Sequence, residues 1–400
     1  MTKTIAALLF LAGLMLAPAT QAAETGWRTS WAASPEPPMP LGVKFPVATP
    51  TLNNQTLVQV MHLSTGGRAL RLRLTNEYGA KPLAIGHARV ALIGADGQVV
   101  ADSAHDVTFG GSKTAVIPPH APLVSDPVEI GAQPLSDLQI SLYLPGDAGQ
   151  CTCHAIGLGG GAISPAGDFT DTPFTPAQKI DSWVYISAVE VQSTVRGPSI
   201  IAFGDSITDG YLSTSGTNRR WPDRLAERLA KAGVQAAVAN AGIGGNRVLS
   251  DGVISIFGES ALTRFDRDVV SMPGATHLVV LEGINDLGGK PTPSAEALIA
   301  GYRQILARAH AHGLKVIFAT LLPYKGAAYF REDGEAARLA ANAWIRSNHE
   351  ADGVIDFDAA MRDPADPARM KKDLQSGDWL HPNDAGYRTM GDAVELKLFR

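Results

Sequence analysis

The sequence predicts two folded units, an all-β sandwich or jelly roll followed by an α/β domain whose parallel sheet is covered on both faces. Three observations predict it. Four hundred residues exceed what one ordinary core organises. From about Trp27 to Val191 the chain reads as short alternating strands between Gly/Pro turns, with no convincing helix. After about Arg196 the period changes, and apolar strand-length runs alternate with helical segments.

The first residues stand apart. Lys3 precedes an apolar run from Ile5 to Ala17, and small residues follow at Pro18-Ala19-Thr20-Gln21-Ala22-Ala23. A basic start, a short apolar stretch and small residues at the cut describe a secretory signal peptide. A membrane anchor would need about 20 apolar residues. The expected organisation is therefore residues 1–22 as signal peptide, 23–195 as β-domain and 196–400 as α/β domain, with the product exported to the periplasm or secreted. Composition is that of a soluble globular chain, 45% hydrophobic and 18% charged, with mean hydropathy +0.02. The formal charge is −5 for the whole chain, and no lysine- or arginine-rich run stands out. That balance argues against nucleic acid or anionic membrane surfaces as partners. No later apolar stretch is long enough for stable membrane insertion.

Only two cysteines occur, in Cys151-Thr152-Cys153-His154. An oxidising compartment would permit a disulfide, although a bridge across two residues closes a small ring. Two thiolates and one imidazole fall short of a tetrahedral metal set, and no second Cys/His cluster follows. The expectation is a structural or redox-labile pair, with no metal and no cofactor.

In the β-domain, Ala69-Leu70-Arg71-Leu72-Arg73-Leu74-Thr75 alternates apolar and polar residues, as a half-buried strand does. It follows Gln55–Met61 through Ser64-Thr65-Gly66-Gly67, which reads as a hairpin. Asp137–Leu144 alternates again and is expected to stop at Pro145-Gly146.

In the α/β domain, Ser199–Phe203 is an apolar strand, and Trp221–Ala232 reads as a helix with Leu225, Ala226 and Leu229 on one face, ended by Gly233. Strands are expected at Val234–Asn240, His277–Leu281, Leu314–Thr320 and Val354–Phe357. Helices are expected at Ser294–His312, about Gly334–His349 and from Asn383 onward. Largely apolar strands alternating with helices imply a parallel sheet with both faces covered. Chemistry in such sheets gathers at the carboxyl ends of the strands.

Four polar blocks are candidates for that position. Gly204-Asp205-Ser206-Ile207 follows the first strand, Gly242-Ile243-Gly244-Gly245-Asn246 the second, Gly283-Ile284-Asn285-Asp286 the third, and Asp378-Trp379-Leu380-His381 precedes the last helix. A serine is a weak nucleophile until a base removes its proton. His381 can take that proton and return it to a leaving group. Asp378, three residues earlier, can fix the imidazole tautomer and favour the imidazolium. The Ser206 N–H, the Gly245 N–H and the Asn285 amide are candidate oxyanion donors, with Gly244 as the rival glycine. Taken singly, each block also reads as an ordinary cap or turn: Asp205 or Ser206 capping a helix, Gly-Gly-Asn turning the chain, Asn285-Asp286 closing an Asx turn. Their joint occurrence, each at an element end, favours the catalytic reading.

Together these blocks resemble the signature of the SGNH hydrolases, also called GDSL esterases/lipases, over roughly Pro198 to the C-terminus. Ile207 stands where the family usually has leucine. The whole chain resembles a bacterial branch with an extra N-terminal β-domain. The resemblance implies a three-layer α/β/α, flavodoxin-like domain, with Ser206 as nucleophile, His381 as base, Asp378 as its orienter, and Ser206, Gly245 and Asn285 forming the oxyanion hole. It implies carboxylic-ester hydrolysis through an acyl-serine. An accessory β-domain points to a bulky alcohol, hence a carbohydrate O-acetylesterase acting on a small-molecule or polysaccharide ester. The rivals are a broad short-chain esterase or lipase for lipid or aryl esters, and a non-catalytic glycan-binding protein on a hydrolase fold. The aromatics of Leu321–Phe330 and Trp379 are read either as pocket walls or as packing. Arg219, Arg220 and Trp221 are read as capping and packing residues.

Overall fold

The computed structural model describes residues 26–40, 49–193 and 197–399. The signal-peptide expectation for 1–22 and the junction expected at 195/196 lie outside the described residues.

In the N-terminal part, two antiparallel sheets share one core. One holds Gly26–Ala32, Ile186–Ser193, Gly67–Thr75, Pro122–Val124 and Val128–Ala132. The other holds Gln178–Ile180, Gly161–Ala166, Thr51–His62, Asp137–Gln150, His87–Ile93 and His105–Asp106. Leu57 and Met61 from one sheet and Leu70, Leu72 and Leu74 from the other are fully buried in the core between them. Each such side chain contributes about 1.5–3 kcal/mol by leaving water.

Two sequence expectations fail here. The hairpin does not form: Thr51–His62 pairs with Asp137–Gln150 and Gly161–Ala166, whereas Gly67–Thr75 pairs with Ile186–Ser193 in the opposite sheet. Alternation reveals which face of a strand is buried and is silent about its partner. The short connection therefore arches from one sheet to the other, so that both apolar faces meet in one core. Nor does Asp137–Leu144 stop at Pro145-Gly146. The strand runs on to Gln150, its register against Thr51–His62 slipping between Leu144 and Asp147 and again before Gln150. Those irregularities accommodate a proline that cannot donate to the ladder.

The C-terminal half is a five-stranded parallel sheet in the order Ala237–Gly242, Ser199–Gly204, His277–Leu281, Lys315–Ala319, Gly353–Ile355. The first strand of the chain segment thus lies second in the sheet, the strand order of a flavodoxin-like fold. Trp221–Lys231 packs against Asp384–Ala393, and Ala295–Ala311 packs against Glu332–Ser347 and the strand Lys315–Ala319. Ser294 caps the long helix by accepting from Ala297 N, and Asn383 caps the last by accepting from Gly386 N. The expected strand through Phe357 ends at Ile355. Asp356 instead caps a short helix, Phe357–Met361, by accepting from Ala359 N.

The halves are joined along Gly26–Ala32, which lies beside Ala237–Gly242. Arg28 Nη1 donates to Gln235 O at 3.1 Å and Nη2 to Pro198 O, while Val238 N donates to Ser64 Oγ at 2.9 Å. Ala32 is packed into the core of the parallel-sheet half. No helix among the described residues is long and apolar enough to cross a membrane.

Candidate active site

The strand Ser199–Gly204 is wholly buried and ends in a one-turn helix, Ser206–Asp209. Gly204 is required at this bend by close approach: a Cβ would sit 2.2 Å from Leu281 O and 2.3 Å from Thr208 Oγ1. Asp205 is the helix cap, its Oδ1 accepting from Ile207 N at 2.9 Å. The capping and catalytic readings of Gly-Asp-Ser are thus divided between neighbours. Asp205 satisfies the helix end, and the hydroxyl of Ser206 is left to meet His381.

Ser206 Oγ lies 2.8 Å from His381 Nε2, and His381 Nδ1 lies 2.6 Å from Asp378 Oδ2. The other oxygen, Asp378 Oδ1, accepts from Leu380 N and His381 N, each at 2.9 Å, and from Ser376 Oγ at 3.1 Å. Burial alone would raise the Asp378 carboxyl. The His381 hydrogen bonds and charge outweigh it and hold the group well below the usual carboxylate range. Asp378 therefore stays ionised opposite the imidazole. The Tyr211 ring meets the His381 ring edge-on at 4.8 Å between centroids.

The segment that carries both residues closes on itself, with Ser376 N donating to His381 O at 2.9 Å. Trp379 adopts φ +62°, a conformation that costs a bulky side chain of order 1–3 kcal/mol. It is held there by Arg369 stacked 4.2 Å from its ring and by Gly326, where a Cβ would meet Trp379 at 2.9 Å. Trp379 is a packing residue of this loop.

Gly245 turns the chain at φ +74°, and a Cβ there would press into the Phe257 ring at 2.4 Å. Asn285 Nδ2 donates one proton to Asn246 O at 2.9 Å and carries a second; its Oδ1 accepts from Tyr329 OH at 3.1 Å. Among the described residues, the backbone N–H groups of Ser206, Gly244 and Gly245 donate to no protein acceptor. The five sequence-predicted residues are thus brought together, and all but Asp378 border one cavity of about 270 Å³. The aromatic loop divides its roles. Tyr324 and Phe330 pack the loop shut, while Tyr329 borders the cavity and orients Asn285.

Residues 202–389 match the profile of the GDSL-like Lipase/Acylhydrolase family. The C-terminal half is a GDSL-like acylhydrolase domain, and the protein is a carboxylic-ester hydrolase. No curated protein matches the chain. Among solved structures, the chain is similar to a GDSL-like lipase from Bacteroides thetaiotaomicron VPI-5482 (19% identity, 51% of this chain and 91% of that one, TM-score 0.39). It is also similar to a carbohydrate acetylesterase family member from Sinorhizobium meliloti (18%, 50% and 97%, 0.42). A third is the aryl esterase of M. smegmatis (16%, 49% and 95%, 0.40).

Two polar groupings around this candidate site escaped the sequence reading. Behind the strand end that carries Ser206, the fully buried Arg264 gathers two backbone carbonyls, a side-chain amide and a carboxylate. It donates to Gly204 O at 2.9 Å, Ala241 O at 2.8 Å, Asn246 Oδ1 at 2.9 Å and Asp268 Oδ2 at 2.9 Å. The second lies where the halves meet. His154 Nε2 is 2.9 Å from Asp209 Oδ1, and its Nδ1 is 2.9 Å from Ser34 O and 3.2 Å from Glu36 Oε1. Cys151 and Cys153 are disulfide-bonded, and no group of metal ligands occurs among the described residues.

Both nitrogens of His154 face acceptors, so both carry protons and the ring is an imidazolium. Burial alone would lower its pKa. Asp209 and Glu36 outweigh burial and raise it to about 9. Glu36 is itself raised to about 7, chiefly by burial. Both folded-state values exceed the unfolded ones, so the stability they contribute is full at low pH and is lost as pH rises, through about 7 for Glu36 and about 9 for His154. The thermal midpoint is expected to fall by several degrees from pH 7 to 9. In His154→Gln that slope should flatten, as calorimetry at half-unit pH steps will show. A slope unchanged in the variant refutes the assignment.

Proposed function

We propose that Ser206, His381 and Asp378 carry this ester hydrolysis, and that the Ser206 N–H, Gly245 N–H and Asn285 amide form the oxyanion hole. The observation behind the reading is the unbroken chain from Asp378 Oδ2 through His381 to Ser206 Oγ, at 2.6 and 2.8 Å, opening on a cavity lined with free donors. His381 Nε2 accepts the Ser206 hydroxyl proton as Oγ bonds to the ester carbonyl carbon. The carbonyl oxygen becomes an oxyanion received by the three donors. Collapse breaks the bond to the alcohol oxygen, which leaves with the proton returned from His381. Water, deprotonated by His381, then attacks the acyl-serine; collapse breaks the bond to Ser206 Oγ, which takes that proton from His381 as the acid leaves. Asp378 stays ionised throughout and stabilises the imidazolium.

The proposed substrate is a short acyl ester, an O-acetyl group, on a bulky carbohydrate alcohol. A second β-unit built against the catalytic half supports a bulky alcohol. Tyr211, Val253, Phe257 and Leu380 give the cavity an apolar wall, which favours as second reading a short-chain esterase for aryl or lipid esters. We also propose that the protein is exported, with 1–22 as signal peptide and the chain divided as 23–195 and 196–400. The disulfide supports an oxidising compartment. The substrate test compares acetate release from acetylated xylan with hydrolysis of nitrophenyl acetate, butanoate and octanoate. The expected result is release from the polysaccharide and decline with chain length; a preference for octanoate eliminates the acetylesterase.

A further inference from the structure

The Cys151-Thr152-Cys153-His154 motif and the β-domain have so far no part in the chemistry, yet the segment they form reaches the catalytic cavity. We propose that Ile156, delivered by the β-domain, is the wall that limits acyl-chain length in this hydrolase. The proposal rests on the reading of Ser206 as nucleophile.

Ile156 borders the same cavity as Ser206 and His381 and is 8% exposed. Its Cδ1 lies 3.0 Å from the point a Cβ on Gly244 would occupy, so it is packed directly on Gly244, the neighbour of the proposed oxyanion donor Gly245. Its position is fixed from both sides. On one side His154 holds Asp209 at 2.9 Å, and Ala155 N donates to Glu36 Oε2 at 2.8 Å. On the other, Arg220 binds Gly157 O through Nη2 and Asp209 O through Nε, the latter at 2.7 Å. Both ties end on Asp209, three residues after Ser206. The disulfide closes the preceding turn, and Ala155 packs with Met39 and Ile256. A side chain anchored in this way cannot swing aside without breaking buried polar contacts.

The acyl side of the cavity follows from the mechanism. His381 must return its proton to the leaving oxygen, so the alcohol lies toward His381, where Tyr211 and Leu380 stand. The acyl chain then extends past Gly244 and Gly245, where Ile156 and Phe257 stand. Specificity for acyl length is therefore written partly in a domain outside the hydrolase fold.

The test measures kcat/KM for nitrophenyl acetate, butanoate, hexanoate and octanoate in the full chain and in Ile156→Ala, Ile156→Leu and Ile156→Phe. The octanoate-to-acetate ratio should rise about tenfold in Ile156→Ala, fall about tenfold in Ile156→Phe and hold in Ile156→Leu, the scale a few methylenes impose in an apolar pocket. A ratio is insensitive to a uniform loss of folded enzyme, and the opposite signs of the two variants separate pocket size from loosened packing. With active wild type, ratios unchanged in Ile156→Ala and Ile156→Phe overturn the wall alone. A wild type without esterase activity overturns the reading of the site, and the wall with it.

Discussion

Ser206→Ala is expected to lower kcat for nitrophenyl acetate about a millionfold, to a residue set by binding and the oxyanion donors. The hydroxyl meets the proposed base at 2.8 Å and borders the same cavity as Gly245 and Asn285. Removing it eliminates covalent catalysis and leaves His381 without its proton donor. The fold should survive. Asp205 rather than Ser206 caps the helix, and Ser206 makes no side-chain bond in the described residues other than that to His381. Turnover is read by nitrophenolate release and folding by thermal melting. Activity retained in a folded variant would refute the mechanism.

The second large effect is on stability. Arg264→Leu should cost about 3–5 kcal/mol, because a buried cluster loses one of its cations while the Asp268 carboxylate stays. Asp268, held below its usual range by Arg267 and Arg264 against the opposing effect of burial, would face Arg267 alone. Glu282, pushed well up by burial, would lose the only cation beside it in the described residues. The carbonyls of Gly204 and Ala241, at the ends of two central strands, would lose their shared donor. At about 2–4 °C per kcal/mol, the melting temperature should drop by roughly 10 °C. Arg264→Lys should rescue little, since one ammonium cannot reach acceptors spread around a guanidinium fork. A melting temperature within 2 °C of wild type, near the smallest effect of about 1 kcal/mol, contradicts this account.

How far the sequence foretold all this follows from the range over which each feature is encoded. Ser206, Gly245, Asn285 and the Asp378–His381 pair were legible because each occupies the end of its own strand or helix, and a parallel sheet gathers those ends at one edge. Asp378 and His381 are close in sequence, so their pairing was a local matter. The hairpin shows the opposite case: Leu57 and Leu72 advertise a buried face, and only the assembled sandwich places them in opposite sheets around one core. His154 was visible as a curiosity beside two cysteines. Its partners, Glu36 and Asp209, are distant in sequence and belong to different folding units. Arg264 carried no local signal, since nothing in Ala-Leu-Thr-Arg-Phe tells a buried hub from a surface arginine.

The strand Ala237–Gly242 is the outermost of its sheet on one side. A bare outer strand offers its backbone to any other extended chain and is a seed for aggregation. Here Ser64 takes up one of its N–H groups, and Gly26–Ala32 lies along it. The β-sandwich is thus also a guard that keeps copies of the catalytic half from adding strands to one another. Selection on that half's solubility and on its substrate choice would act on the same neighbouring domain.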